Sequence, residues 1–234
     1  MNTLHIPIKI CGLTTERDVD AAVQAGAQAI GFVLYPPSPR AVSIERAAEL
    51  SRRLPAFVCP VLLLVNAERE TIEKAAQAVP GAWLQFHGDE SPEFCEEMSR
   101  LTGLRYIRAI RIPVMNSSPT ESPPQSSFDL VKYVNLYKNA HALLLDALVP
   151  GYGGAGQQFD WSLIPEKLNA HLVLSGGLTA QNVSQAISYL SPRVLSLGLD
   201  VSSGVEASRG VKDPVLIRAF IQAVRASELP LMKP

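Results

Sequence analysis

Four side chains in this 234-residue chain combine a reactive group with a place where an apolar run gives way to a loop. Cys11 ends the run "IKIC", His87 follows "WLQF", Asp146 ends "ALLLD", and Asp200 follows "LSLGL". A thiol becomes a base once ionised, and a carboxylic acid is a proton donor, so Cys11 and Asp146 together suggest general acid–base chemistry. Gly12 lets the backbone turn at once, and the N-terminus of the helix expected next supplies partial positive charge that favours a thiolate. Lys9 shares a strand face with Cys11, one pleat deeper, where it either supports the thiolate or fills the interior as an ion pair. Asp146 is followed by "ALVPGYGGAGQQFDW", a long glycine-bearing loop and no immediate helix start. Its carboxyl is therefore expected over a pocket mouth, in a partly apolar setting from which it can donate a proton near neutral pH. Most free cysteines are small buried hydrophobes, which is the reading given to Cys59 near a strand start and Cys95 within a helix.

A second group of residues suits an anion. "SGGLT" supplies Gly176 and Gly177, "DVSSGVE" supplies Ser202, Ser203 and Gly204, and "GYGGAG" adds Gly154 and Gly156. Backbone amides freed by glycine, two serine hydroxyls and a nearby helix N-terminus form a nest for phosphate. Arg40 stands in the long loop "YPPSPRAVS".

The elements that must position these groups recur with a steady rhythm. Apolar runs at residues 6–10, 29–33, 58–65, 82–86, 105–110, 142–145, 172–174 and 194–197 read as strands. Between them apolar residues recur three and four apart, as in Val19, Ala22, Val23 or Ala47, Leu50, Leu54, the pattern of amphipathic helices. Runs this apolar suit parallel strands buried on both faces, and eight strand–helix units in one chain of this length predict a closed (β/α)8 barrel, an α/β fold, as a single domain over 1–234. An open doubly wound sheet is the alternative. "GLTTERDVDAAV" and "GLTAQNVSQAI" form a half-repeat in which Thr14 and Thr179 are expected to cap the following helices. Residues 113–127, PVMNSSPTESPPQSS, have almost nothing to bury and are expected to form a surface loop. On a barrel of this kind catalytic groups come from the C-terminal ends of strands, and phosphate commonly binds after strands seven and eight. That places Cys11 at the end of strand one, and His87, Asp146 and Asp200 after strands four, six and eight.

Composition narrows the partners. The formal net charge of -1 offers no broad basic field for nucleic acid. The longest nearly unbroken apolar run, Phe57 to Val65, contains Pro60 and falls far short of the roughly 20 residues a membrane helix needs. No secretory signal is visible at the N-terminus, and three scattered cysteines do not make a disulfide framework, so the cytoplasm is the expected compartment. No clustered His and Cys ligands suggest a metal. A phosphorylated small molecule is the expected partner, with the chain acting as a monomer or homodimer.

"KICGLT", "AIGFVLYPPSPRAVS", "LQFHGDE", "LLLDALVPGYGGAGQQFDW", "LSGGLTAQNV" and "GLDVSSGVEASRGVKD" resemble, in order, the successive motifs of the phosphoribosylanthranilate isomerase family of tryptophan biosynthesis. The resemblance runs from about residue 8 to 225. It implies a cofactor-independent Amadori rearrangement, with Cys11 as general base, Asp146 as general acid and Arg40 meeting the anthranilate carboxylate. His87 and Asp200 would line the site, and the turns after strands six to eight would take the phosphate. Two features depart from the family pattern: the 113–127 loop is longer, and "SRG" at 208–210 replaces a Pro-Gly turn. A Schiff-base aldolase would need a lysine at a strand's C-terminal end, and Lys9 sits one pleat too deep. A barrel that only binds a phosphorylated metabolite would have no reason to hold an acid and a base.

Overall fold

Each of the eight apolar runs is a strand. The structure, a computed structural model, describes residues 5–114, 128–148 and 158–228. The strands β1 (Ile8–Cys11), β2 (Ala29–Val33), β3 (Cys59–Leu64), β4 (Trp83–Phe86), β5 (Tyr106–Pro113), β6 (Ala142–Leu148), β7 (Leu168–Leu174) and β8 (Val194–Val201) are parallel and close into a barrel in chain order. Around it lie α1 (Glu16–Ala25), α2 (Ile44–Ser51), α3 (Arg69–Ala78), α4 (Pro92–Thr102), α5 (Leu130–Leu136), α6 (Val183–Leu190) and α7 (Pro214–Glu228). A short hairpin, β9 (Glu206–Ser208) and β10 (Val211–Lys212), separates β8 from α7.

The strands are apolar on both faces because both are covered. Outward-facing Ile8, Ile10, Ile30, Phe32 and Leu62 join Val19, Ala22, Leu50 and Ile72 of the helices in one core, all fully buried. Two small apolar clusters fill the interior, Cys11, Val33, Leu63 and Val65 in one and Ile107, Ala109 and Leu144 in the other. Buried polar residues at inward positions, Lys9, Gln85 and Asp200 among them, complete that interior. The register sets Lys9 beside Asp200 on β8 and Cys11 beside Gly31 on β2.

Local signals fall close to where the sequence puts them. The cap of α1 is Thr15, one residue beyond the expected Thr14, and its hydroxyl accepts the Asp18 N–H at 3.2 Å. Thr179 does not cap α6, which starts later, at Val183; the Asn182 side chain instead accepts the Thr179 N–H at 2.9 Å. Three strands run three or more residues past the C-terminal ends of their apolar stretches: β5 continues through Arg111, β6 through Asp146 and β8 through Asp200, while β7 starts four residues early, at Leu168. Asp146 and Asp200 therefore lie within strands, not after them. Between β6 and β7 the described residues form no α-helix, only a 3-10 turn at Trp161–Leu163. Pro165 explains its stop, since the residue before a proline is driven to extended backbone, and Ile164 has φ -88° and ψ 120°. Of the 113–127 loop, residues 115–127 lie outside the described residues. No helix among the described residues is long and apolar enough to cross a membrane.

Candidate active site

Cys11 is the last residue of β1, and Gly12 turns the chain with φ 77°, donating its N–H to the Gly31 carbonyl at 2.8 Å. Glycine at 31 leaves room for the neighbours: a Cβ there would stand 2.8 Å from Cys11 Sγ and 3.0 Å from Lys9 Nζ. Thiol and ammonium therefore share one small space. Lys9 Nζ donates to Asp200 Oδ1 at 2.8 Å with both side chains 5% exposed, the internal ion pair expected of Lys9. Burial works against the Lys9 charge, but Asp200 and then Cys11 outweigh it and hold the ammonium well above its ordinary value. For Cys11 the balance is reversed: burial pushes the thiol up, and the Lys9 ammonium only partly offsets it. The expected pull of the α1 N-terminus toward a resting thiolate is thus overridden by desolvation, and the helix itself begins four residues past Gly12, at Glu16.

Contacts run from this corner round the inner wall to β6. Asp200 Oδ2 accepts the Ser175 hydroxyl at 3.3 Å, and next to Ser175 a Cβ at Gly176 would lie 3.0 Å from Asp146 Oδ1. Oδ1 of Asp146 accepts the Ala147 N–H at 2.9 Å, and Oδ2 lies 3.2 Å from His87 Nε2. The setting of Asp146 is therefore polar, contrary to the partly apolar one expected. Gln85 Nε2 lies 3.0 Å from His87 Nδ1. With the amide nitrogen on that side, Nδ1 is the acceptor and Nε2 carries the proton toward Asp146. Arg108 fixes the turn that carries His87, donating to the carbonyls of Phe86 at 3.0 Å and Gly88 at 2.9 Å. β6 is three places from β1 round the barrel through β8 and β7, one short of diametrically opposite.

The remaining residues fall into two groups. Gly176 and Gly177 turn with φ 81° and 64°, and Ser203–Val205 form a 3-10 turn after β8. The two turns touch, since a Cβ at Gly204 would meet the Leu178 carbonyl oxygen at 1.9 Å. The Ser202 hydroxyl does not point to a ligand; it donates to the Cys11 carbonyl at 3.0 Å. Gly154 and Gly156 lie outside the described residues. Asp200 sits beneath the site with both oxygens engaged, so it holds Lys9 and does not line the mouth. Arg40 reaches the site with its stem over Gly12, where a Cβ would lie 2.5 Å from Arg40 Cδ. Its guanidinium is paired with Glu206 through Nε at 2.6 Å and Nη2 at 2.8 Å. Lys212 Nζ holds the same carboxylate at 2.8 Å. Gln85, Glu206 and Lys212 were not among the residues singled out from the sequence, although all three lie within quoted motifs, Gln85 near the end of an apolar run.

A family model described as PRAI, N-(5'phosphoribosyl)anthranilate (PRA) isomerase, matches residues 8–223. The chain belongs to that family. An N-(5'-phosphoribosyl)anthranilate isomerase of Dechloromonas aromatica is 51% identical over 221 residues, spanning 94% of this chain and 97% of the relative. The crystal structure of phosphoribosyl anthranilate isomerase from Thermotoga maritima matches with a TM-score of 0.76 at 38% identity, over 95% of this chain and all of that one. A second isomerase structure, in complex with reduced 1-(o-carboxyphenylamino)-1-deoxyribulose 5-phosphate, matches with a TM-score of 0.73 at 34% identity, over 95% of this chain and 100% of the other. Family membership agrees with the motif resemblance along the chain and with the eight-stranded barrel.

Proposed function

We propose that Cys11 and Asp146 are the proton-transfer pair of an Amadori rearrangement that converts N-(5'-phosphoribosyl)anthranilate to 1-(2-carboxyphenylamino)-1-deoxyribulose 5-phosphate, a step of tryptophan biosynthesis. Asp146 gives a proton to the furanose ring oxygen while the anthranilate nitrogen pushes its lone pair toward C1, so the C1–O bond breaks and an iminium ion forms. That cation acidifies the C2–H bond. Cys11, through the fraction of its buried thiol that ionises beside the Lys9 ammonium, takes the C2 proton and an enolamine results. The enolamine tautomerises to the ketone: C1 takes up a proton, the C2 hydroxyl gives one up, and acid and base regain their starting states. No atoms are lost and no net redox change occurs.

One observation carries the assignment: on the inner wall of the barrel, a chain of contacts through Lys9, Asp200, Ser175 and Gly176 joins Cys11, among the described residues the one inward-facing thiol at a strand's C-terminal end, to a carboxyl that meets His87 Nε2. Arg40 receives the anthranilate carboxylate, and the touching turns after β7 and β8 receive the phosphate through the amides of Gly176, Gly177, Ser203 and Gly204. The cytoplasm is the compartment that suits three free cysteines.

Cys11→Ala and Asp146→Asn test the roles. Each is expected to lower turnover by roughly 10²-fold or more while the reduced product analogue still binds. Turnover near wild type in either variant removes that residue from the mechanism.

A further inference from the structure

Arg40, Glu206 and Lys212 form a cluster that the proton-transfer chemistry does not use. All three are buried: the side chains of Arg40, Glu206 and Lys212 are 6%, 4% and 0% exposed. Two cations and one anion leave one positive charge in surplus. Excluding water from an unbalanced charge is costly, and an ion triad of this kind is poor value for stability alone. A cluster that carries one surplus charge beside the Cys11 end of β1 is instead matched to an anionic ligand.

The orientation of Arg40 indicates which face meets that ligand. A guanidinium has five N–H donors in a rigid plane. Glu206 takes the side edge, Nε and one Nη2 hydrogen. Among the described residues Nη1 has no acceptor, so the end edge, Nη1 with the second Nη2 hydrogen, is free for a second carboxylate in the two-pronged geometry arginine favours. Glu206 is itself held. Lys212 Nζ binds it at 2.8 Å and the Gly210 N–H at 3.1 Å, and burial's push on its carboxyl is outweighed first by Arg40, so it stays ionised more readily than an ordinary glutamate. Lys212 also donates to the Ser202 carbonyl at 2.9 Å, and Ser202 donates in turn to the carbonyl of Cys11. The position of the guanidinium is thereby tied to the backbone of the base.

We propose that Glu206, anchored by Lys212, is a positioning residue that fixes Arg40 side-on so that its end edge selects substrates carrying an aromatic ortho-carboxylate. The proposal rests on the role given to Arg40 above. It makes substrate selectivity a property of the hairpin after β8, an element remote in sequence from Arg40.

The test compares two inhibitors: the reduced product analogue and its counterpart lacking the ring carboxylate. Binding of both is measured to wild type, Glu206→Gln, Glu206→Asp and Arg40→Met, with thermal unfolding recorded for each. Loss of a charge-assisted, two-pronged contact predicts that Glu206→Gln loses about tenfold in affinity for the carboxylated inhibitor and less than about twofold for the other. In turnover, KM rises more than kcat falls. Glu206→Asp keeps the charge and covers failure of Glu206→Gln to fold; it is expected to lose about threefold of the preference. Equal losses on both inhibitors, or an unchanged preference in the folded variants, overturn the proposal. If Arg40→Met retains the preference for the carboxylated inhibitor, the role of Arg40 itself is wrong. If Arg40→Met abolishes it while the Glu206 variants do not, only the positioning role falls.

Discussion

Cys11 Sγ and Lys9 Nζ share the space that a side chain at Gly31 would occupy, with distances of 2.8 Å and 3.0 Å to that missing Cβ. Thiol and ammonium are thus packed by the absence of a methyl group on the neighbouring strand. Lys9 cannot simply swing aside, because Asp200 holds it at 2.8 Å.

Gly31→Ala is therefore expected to separate thiol and ammonium. Turnover should drop by roughly tenfold or more, since positioning errors near 1 Å carry costs of that order, and alkylation of Cys11 by iodoacetamide should slow at fixed pH as the thiolate loses its partner. Unchanged kinetics and alkylation would show that the shared space does not matter.

Gln85 should fix the tautomer of the His87 ring that faces Asp146. With the Gln85 amide donating to Nδ1, the His87 proton is held on Nε2, facing the Asp146 carboxylate at 3.2 Å. Nitrogen-15 NMR of the imidazole should show an unprotonated Nδ1 in the wild type. Gln85→Leu should mix the two tautomers and lower kcat by about tenfold with little change in KM. An Nδ1-protonated ring in the wild type would reverse this assignment.

Gly204→Ala probes the contact between the turns after β7 and β8. The new Cβ would fall 1.9 Å from the Leu178 carbonyl oxygen, a backbone atom, so the turns must part. Overpacking of this kind costs about 1–3 kcal/mol. Competitive inhibition by inorganic phosphate should weaken by roughly tenfold if these amides hold the phosphate. Loss of stability with unaltered phosphate inhibition would place the phosphate elsewhere.

Alkaline pH should weaken the fold. Burial pushes the Cys59 thiol up to about 11 and the Cys95 thiol up to about 12, from 9.0 in an unhindered cysteine. Above pH 9 the unfolded chain has given up protons that the folded one retains, so unfolding releases protons and stability falls as pH rises. Lys212, whose own value burial lowers, opposes this with one group. Urea midpoints should decline from pH 8 to pH 10.5 in the wild type, and the decline should shrink in Cys95→Ala.

The barrel was readable because burial on both faces writes each strand as an unbroken apolar run, as in "PVLLLV" of β3. The same rule truncated β5, β6 and β8, whose last residues put Arg111, Asp146 and Asp200 on the inner face and so interrupt the run. The lack of an α-helix among the described residues between β6 and β7 was hidden for another reason: Pro165 ends the local turn, and no periodicity reveals it. That Cys11, His87 and Asp146 share the C-terminal end of the barrel was legible from the ends of their apolar runs. Gln85 was not, because a lone amide inside "WLQF" looks like a strand imperfection. The Arg40–Glu206 pair joins residues 166 positions apart, and no spacing rule reaches that far.

That same separation has a consequence for synthesis. Cys11 and Arg40 leave the ribosome long before Glu206 and Lys212. The charge cluster beside Cys11 therefore does not exist until residue 212 has been made, and a chain cut before residue 206 would lack the carboxylate that holds the Arg40 guanidinium.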